Sequence, residues 1–218
     1  MMEENVARYW QSLLPEKSPL ILEIEQLAKE EHVPIMESAG IETMLQFMRI
    51  QKPKKILEIG TAIGYSAIRM AEANERAEIV TIERDEARYR QAIQFIQRAG
   101  LENRICVLLG DALELAAEAG KMGPYDAIFI DAAKGKYKKF FEIYTPYLVK
   151  NGVVYSDNVL FKGLVAQAVI EKKRIRQLAS KIRQYNQWLM NHPLFSTVIL
   201  PVGDGLAISI YRGEKDGK

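Results

Sequence analysis

From Lys55 onward the chain alternates short, continuous apolar runs with amphipathic stretches, and few architectures accept that alternation. The runs are Lys55–Ile59, Glu78–Ile82, Arg104–Leu109, Ala127–Ile130 and Gly152–Ser156. They are too short for buried helices. A strand apolar on both sides must be covered on both faces, which is the condition of a parallel sheet. The intervening stretches, Ser66–Asn74, Asp85–Ala99, Ala112–Ala119 and Lys138–Leu148, read as the crossover helices such a sheet needs. Farther on, a long helix is expected from about Leu164 to Met190, then strands Thr197–Leu200 and Leu206–Tyr211 around Pro201-Val-Gly-Asp-Gly205. Two strands joined by a Gly-containing turn form a hairpin, so one of them must run against the others. The expectation is an α/β fold: a seven-stranded, mostly parallel sheet with one antiparallel strand and helices on both faces.

The first fifty residues read as a helical extension. Val6, Tyr9, Trp10, Leu13 and Leu14 recur at helical spacing, as do Leu20, Ile24, Leu27 and Ala28 after Pro19. A third helix, about Ser38 to Ile50, ends before Lys52-Pro53. No repeat or linker divides the 218 residues, so one domain is expected over 1–218, with an extension 1–50 and a core 51–218.

Composition narrows the chemistry. One cysteine excludes an internal disulfide framework, and two histidines exclude a His-rich metal site. Any metal must therefore be held by oxygens. His32 and His192 lack a partner cluster and read as structural or solvent-facing, and Cys106 reads as a buried small hydrophobe in the third strand. No apolar run approaches the roughly 20 residues of a membrane span, and Met-Met-Glu-Glu-Asn does not resemble a signal peptide. A soluble, cytoplasmic protein is expected. Lys+Arg 30 against Asp+Glu 28 gives +2 overall, which argues against a broadly basic nucleic-acid binder.

Open parallel sheets bind ligands outside the carboxyl ends of their strands. The first strand ends in Gly60-Thr-Ala-Ile-Gly64-Tyr-Ser66, where two glycines permit a tight turn and close approach of backbone to ligand. Neither the dinucleotide fingerprint nor the phosphate loop is present. Glu83 ends the second strand, where a carboxylate can accept from both hydroxyls of a ribose. Asp111, after the third, could accept from an adenine amino group, cap a helix, or do both. Asp131, Asp157 and Asn158 follow the fourth and fifth strands: two carboxylates and an amide oxygen, a set suited to Mg²⁺ or another hard divalent cation. Lys134 is close enough in sequence to face the same site as a general base, a surface lysine being the alternative.

Together these segments resemble class I S-adenosylmethionine-dependent methyltransferases, with their Rossmann-like fold. More narrowly, they resemble the cation-dependent O-methyltransferases typified by catechol and caffeoyl-coenzyme A O-methyltransferases. The resemblance spans about Val33 to Arg212 and rests on Glu58–Ser66, Glu83, Gly110–Ala112, Phe129–Lys134, Asp157-Asn158 and Pro201–Gly205. It implies that Gly60 and Ser66 line the methionine end of the cofactor, with Met36 closing over it. Glu83 would bind the ribose, Asp111 and Ala112 would frame the adenine, and Asp131 would border the cofactor. Asp131, Asp157 and Asn158 would hold the cation, and Lys134 would take the proton of the attacking hydroxyl. In such proteins N-terminal helices cap the substrate or build a homodimer.

The chemistry asks for a flat ring bearing neighbouring oxygens. A catechol satisfies it; so does 5-hydroxyuridine, whose 5-hydroxyl adjoins the C4 carbonyl. Val159–His192 carries +6 of charge, leaving −4 elsewhere, with Lys162, Lys172, Lys173, Arg174 and Arg176 as candidate RNA contacts. A solvated helix face is the plainer account of those charges. Asp157-Asn-Val-Leu-Phe-Lys-Gly-Leu-Val165 and Asn186-Gln-Trp-Leu-Met-Asn-His-Pro193 further resemble bacterial tRNA 5-hydroxyuridine methyltransferases, which implies tRNA as partner and the anticodon wobble uridine as target. The alternatives are an O-methyltransferase of catechol-like small molecules and a non-catalytic nucleotide-binding module on the same fold.

Overall fold

The computed structural model describes residues 4–213; the opening Met-Met-Glu, part of the segment read against a signal peptide, lies outside them. Three helices come first: α1 (Glu4–Ser12), α2 (Pro19–Glu30) and α3 (Ser38–Gln51). Ser18 starts α2 by accepting Ile21 N–H on its Oγ at 3.3 Å, with Pro19 at the first helical position. α3 stops at Lys52, whose φ of 55° is left-handed, just before Pro53.

The alternating part follows as β1 (Lys55–Ile59), α4 (Tyr65–Ala73), β2 (Glu78–Glu83), α5 (Glu86–Arg98), β3 (Ile105–Leu109), α6 (Ala116–Lys121), β4 (Tyr125–Ile130), α7 (Tyr137–Tyr144) and β5 (Leu148–Ser156). The chain closes with α8 (Lys173–Met190), β6 (Phe195–Leu200) and β7 (Leu206–Tyr211). All seven strands form one sheet in the order β3-β2-β1-β4-β5-β7-β6. Every pairing from β3 through β5 is parallel, and β7 runs antiparallel to both β5 and β6. This is the expected sheet with its one reversed strand.

Successive strand residues feed two cores. Ile56, Ile79, Ala127, Phe129 and Tyr155 face α2 to α5, whereas Leu57, Val80, Ile128, Ile130 and Val154 face α6 to α8. Because β1 and β4 lie side by side while their crossovers depart in opposite directions, a crevice opens at their carboxyl ends.

Three expectations need correction. The helix expected from Leu164 begins only at Lys173, since residues 161–166 form a tight turn in which Lys162 (φ 52°) and Gly163 (φ 76°) are left-handed. The helix expected over Ala112–Ala119 starts at Ala116, after a turn held by Asp111. Cys106 is exposed, not buried, because β3 is the edge strand and its side chains on that face lack full cover. No helix among the described residues is long and apolar enough to cross a membrane.

Candidate active site

The crevice is a cleft of about 240 Å³ whose lining includes Met36, Gly60, Ser66, Glu83, Asp111, Ala112, Asp131, Lys134 and Asn158. Residues expected from five separate strand ends thus meet in one place. Asp157 lies immediately behind Asn158 and is buried.

The glycine turn sets the floor. Gly60 has φ 105°, and a Cβ there would stand 2.1 Å from the Asp131 carbonyl oxygen. Side chains longer than hydrogen are therefore excluded, and β1 and β4 can deliver their ends to the same spot. Gly64, at φ 88°, starts α4. Beneath the turn, Glu58 is fully buried and accepts hydrogen bonds from Ser66 Oγ and, at 2.5 Å, from Thr81 Oγ1. Burial outweighs those bonds and pushes its carboxyl up to about 7. Its signal in the sequence is a carboxylate inside an otherwise apolar run.

At the nucleotide end, Glu83 Oε1 accepts the Arg84 and Asp85 amides, each at 2.9 Å, and Oε2 accepts the Ala62 amide at 2.8 Å. With roughly four lone-pair sites on a carboxylate, about one strong position remains for a ligand hydroxyl. Asp111 Oδ1 takes the Leu113 amide at 2.9 Å, and this bond holds its carboxyl below the usual carboxylate range. It closes the turn ahead of α6 without being that helix's N-cap, and still lines the cleft. Lys136 comes within 3.6 Å of the Asp111 carboxylate.

At the other end, Asp131 is placed by its amide bond to Ile59 O (3.0 Å), and Asp157 by its own to Ile130 O (3.2 Å). Tyr137 donates to the Asp157 carbonyl at 3.0 Å, and Asn186 braces the adjoining Val159 carbonyl at 2.7 Å. Asn158 Nδ2 donates to Asp157 Oδ2 at 2.7 Å, and Lys134 Nζ donates to Asn158 Oδ1. Burial raises the proton affinity of both aspartates, and their mutual repulsion adds to it for Asp157. The Lys134 ammonium is pushed down by burial and pulled back by Asp131. Among the described residues no group of three or more His, Cys, Asp or Glu side chains is placed to hold a metal. The donor set still fits a hard cation. Asp131, Asp157 and Asn158 offer oxygens, the two acids repel one another, and an ammonium already lies among them.

None of Lys162, Lys172, Lys173, Arg174 and Arg176 lines the cleft, and all five are exposed. Arg176 Nη1 donates to Ile170 O at 3.2 Å, and Arg183 Nε to Val165 O at 2.8 Å, so two charges of the basic segment also shape its loop. α8 packs against the turn just after Lys134, where Lys181 lies beside Gly135, without itself lining the cleft. Trp188 packs edge-on to Phe141 at 5.1 Å, in accord with a packing role. His192 joins the same aromatic group and accepts the Leu194 amide at 3.2 Å, which makes it structural; His32 is exposed.

The model of the O-methyltransferase family matches residues 12–211. A catechol O-methyltransferase of Niastella koreensis is 29% identical over 219 residues, covering 96% of this chain and 97% of the relative. A Staphylococcus aureus structure solved as a candidate caffeoyl-CoA O-methyltransferase superposes with a TM-score of 0.85 at 40% identity, covering 90% of this chain and 93% of the other. A Bacillus cereus O-methyltransferase in complex with SAH gives 0.83 at 27% identity, covering 95% and 97%.

Proposed function

The chain belongs to the O-methyltransferase family, and from that premise we propose that it transfers the methyl group of S-adenosylmethionine to a ring hydroxyl of tRNA, 5-hydroxyuridine at the anticodon wobble position. The observation carrying the transferase part is the convergence of Gly60, Glu83, Asp111, Asp131 and Lys134 on one cleft.

Within that cleft each residue has a task. Glu83 and Asp111 orient the nucleoside, and Gly60 and Ser66, with Met36 above, flank the methionine end. As the oxygen–methyl bond forms and the sulfur–methyl bond breaks, the sulfonium sulfur keeps the bonding electron pair and Lys134 Nζ holds the proton released by the hydroxyl. Burial favours the neutral amine that this requires. Asp131, Asp157 and Asn158 would hold a hard divalent cation, which when bound lowers the pKa of a chelated hydroxyl and fixes the ring by its two neighbouring oxygens. Homodimerisation through the N-terminal helices, and a cytoplasmic location matching that of tRNA, belong to the same proposal.

The tRNA assignment is supported by the exposed cations Lys162, Lys172, Lys173 and Arg174 on the segment that leaves the site at Asn158. The relatives named as catechol and caffeoyl-CoA enzymes favour a second reading, a catechol-like small molecule. Salt separates the two. Wild-type binding to tRNA should weaken steeply with added salt, and combined Lys172→Ala, Lys173→Ala and Arg174→Ala should reduce the log–log slope by about 2–3. Turnover of catechol should be indifferent to those three changes. Efficient catechol methylation with salt-insensitive or absent tRNA binding would establish the small-molecule reading.

A further inference from the structure

The Pro201–Gly205 turn has no part in the chemistry above, yet it lies where three parts of the molecule meet. Gly203 abuts the start of α3: a Cβ built on it would be 3.3 Å from the Gly40 amide nitrogen. Gly205 abuts the segment after Asn158 so closely that its Cβ would be 2.4 Å from Leu160 Cγ. Between them Asp204 is buried, and its Oδ1 accepts the Lys162 amide. Its own carbonyl accepts Leu160 N–H at 2.9 Å, and the Gly205 carbonyl accepts Val159 N–H at 3.0 Å.

The segment so held is one that side chains resist. Asn158 (φ 58°), Phe161 (φ 47°), Lys162 (φ 52°) and Gly163 (φ 76°) are all left-handed, a conformation unfavourable for residues with a Cβ. Such geometry persists only where surrounding contacts impose it. The two carbonyl bonds end at Leu160, so the Asp204 carboxylate is what reaches into the left-handed pair. Charge acts in both directions here, because Asp204 adds to the repulsion felt by Asp131 and Asp157 while attracting the Lys134 ammonium.

We propose that Asp204 is a positioning residue that, by accepting the Lys162 amide, holds residues 158–163 in their left-handed path and so sets Asn158 and Lys162 around the acceptor substrate. The substrate half of this inference rests on the function proposed above; the conformational half does not. The Lys162–Gly163 bond lies inside the held segment and is a trypsin site, which gives a readout independent of turnover.

The test compares wild type, Asp204→Ala and Asp204→Asn by tryptic cleavage at Lys162–Gly163, calorimetry of S-adenosylhomocysteine, and turnover of 5-hydroxyuridine tRNA and of catechol. Asparagine keeps the amide-accepting oxygen without the charge. Cleavage should be roughly tenfold faster in Asp204→Ala and within about twofold of wild type in Asp204→Asn. S-adenosylhomocysteine affinity should be unchanged in both, while KM for the methylated acceptor rises in Asp204→Ala alone. Should the alanine variant fail to fold, Asp204→Glu, which displaces the acceptor by one methylene, is expected to be cleaved faster in its place. Unaltered cleavage in the substituted proteins overturns the proposal, and so does Asp204→Asn behaving like Asp204→Ala, which would assign the role to charge. If wild type methylates neither acceptor, the proposed function fails while cleavage still decides the role of Asp204.

Discussion

Lys134 joins the two halves of the account, because it contacts Asn158 and lines the cleft. Lys134→Ala should lower kcat by about 10²–10⁴-fold, the usual worth of a positioned base, and leave S-adenosylhomocysteine affinity within about threefold by calorimetry. Lys134→Arg should not rescue it, since a guanidinium keeps its proton. Glu58 makes a separate prediction about stability. Its carboxyl is raised from 4.5 to about 7 in the folded state, so folded protein binds more protons than unfolded between those values. Stability associated with Glu58 is therefore complete at low pH, falls as pH rises from about 5 to 7, and is level above. Against Glu58→Gln, wild type should lose on the order of 3 kcal/mol across that window, measured by denaturant unfolding at a series of pH values. At this scale Asp131, Lys134, Asp157 and Asn158 could be read from the chain because Asp131 and Asp157 directly follow strand runs and Asn158 and Lys134 come within three residues of those aspartates. Glu58 and Asp204 could not, since their roles depend on partners that only folding supplies.

Elements show the same division. Strands β1, β2 and β4 fall close to their apolar runs because burial on both faces leaves little choice of register. The stretch from Leu164 to Lys172, expected as the start of the long helix, is not α-helical, although its apolar residues leading into charged ones are compatible with a helix. What decides it are bonds from afar: Asp204 to the Lys162 amide and Arg183 to the Val165 and Gln167 carbonyls. The β1–β4 junction gives the test suited to this scale. Gly60→Ala would drive a Cβ into the Asp131 carbonyl, at 2.1 Å, in a backbone conformation alanine resists. It should cost about 2–4 kcal/mol of stability. S-adenosylhomocysteine binding should be lost in the variant that remains folded at low temperature. A variant with wild-type melting and binding would show that the junction is not held by that contact.

For the whole molecule, the balance of charge misleads until it is placed in space. The net +2 combines a body of −4 with the +6 segment that follows the Asp157-Asn158 pair. Folding packs the apolar face of that segment into the core and leaves Lys162, Lys172, Lys173 and Arg174 exposed outside the cleft lining, where the proposed phosphate contacts would have to be made. The mostly parallel sheet with one reversed strand was readable from the helix–strand alternation and the final hairpin, whereas the choice of acceptor was not, because a catechol and 5-hydroxyuridine present the same chelating edge. Nucleoside mass spectrometry of tRNA that lacks the modification, incubated with the protein, Mg²⁺ and methyl-labelled S-adenosylmethionine, decides between them most directly. The account predicts labelled 5-methoxyuridine that is absent with Lys134→Ala. Unlabelled tRNA from a preparation that readily methylates catechol would contradict it.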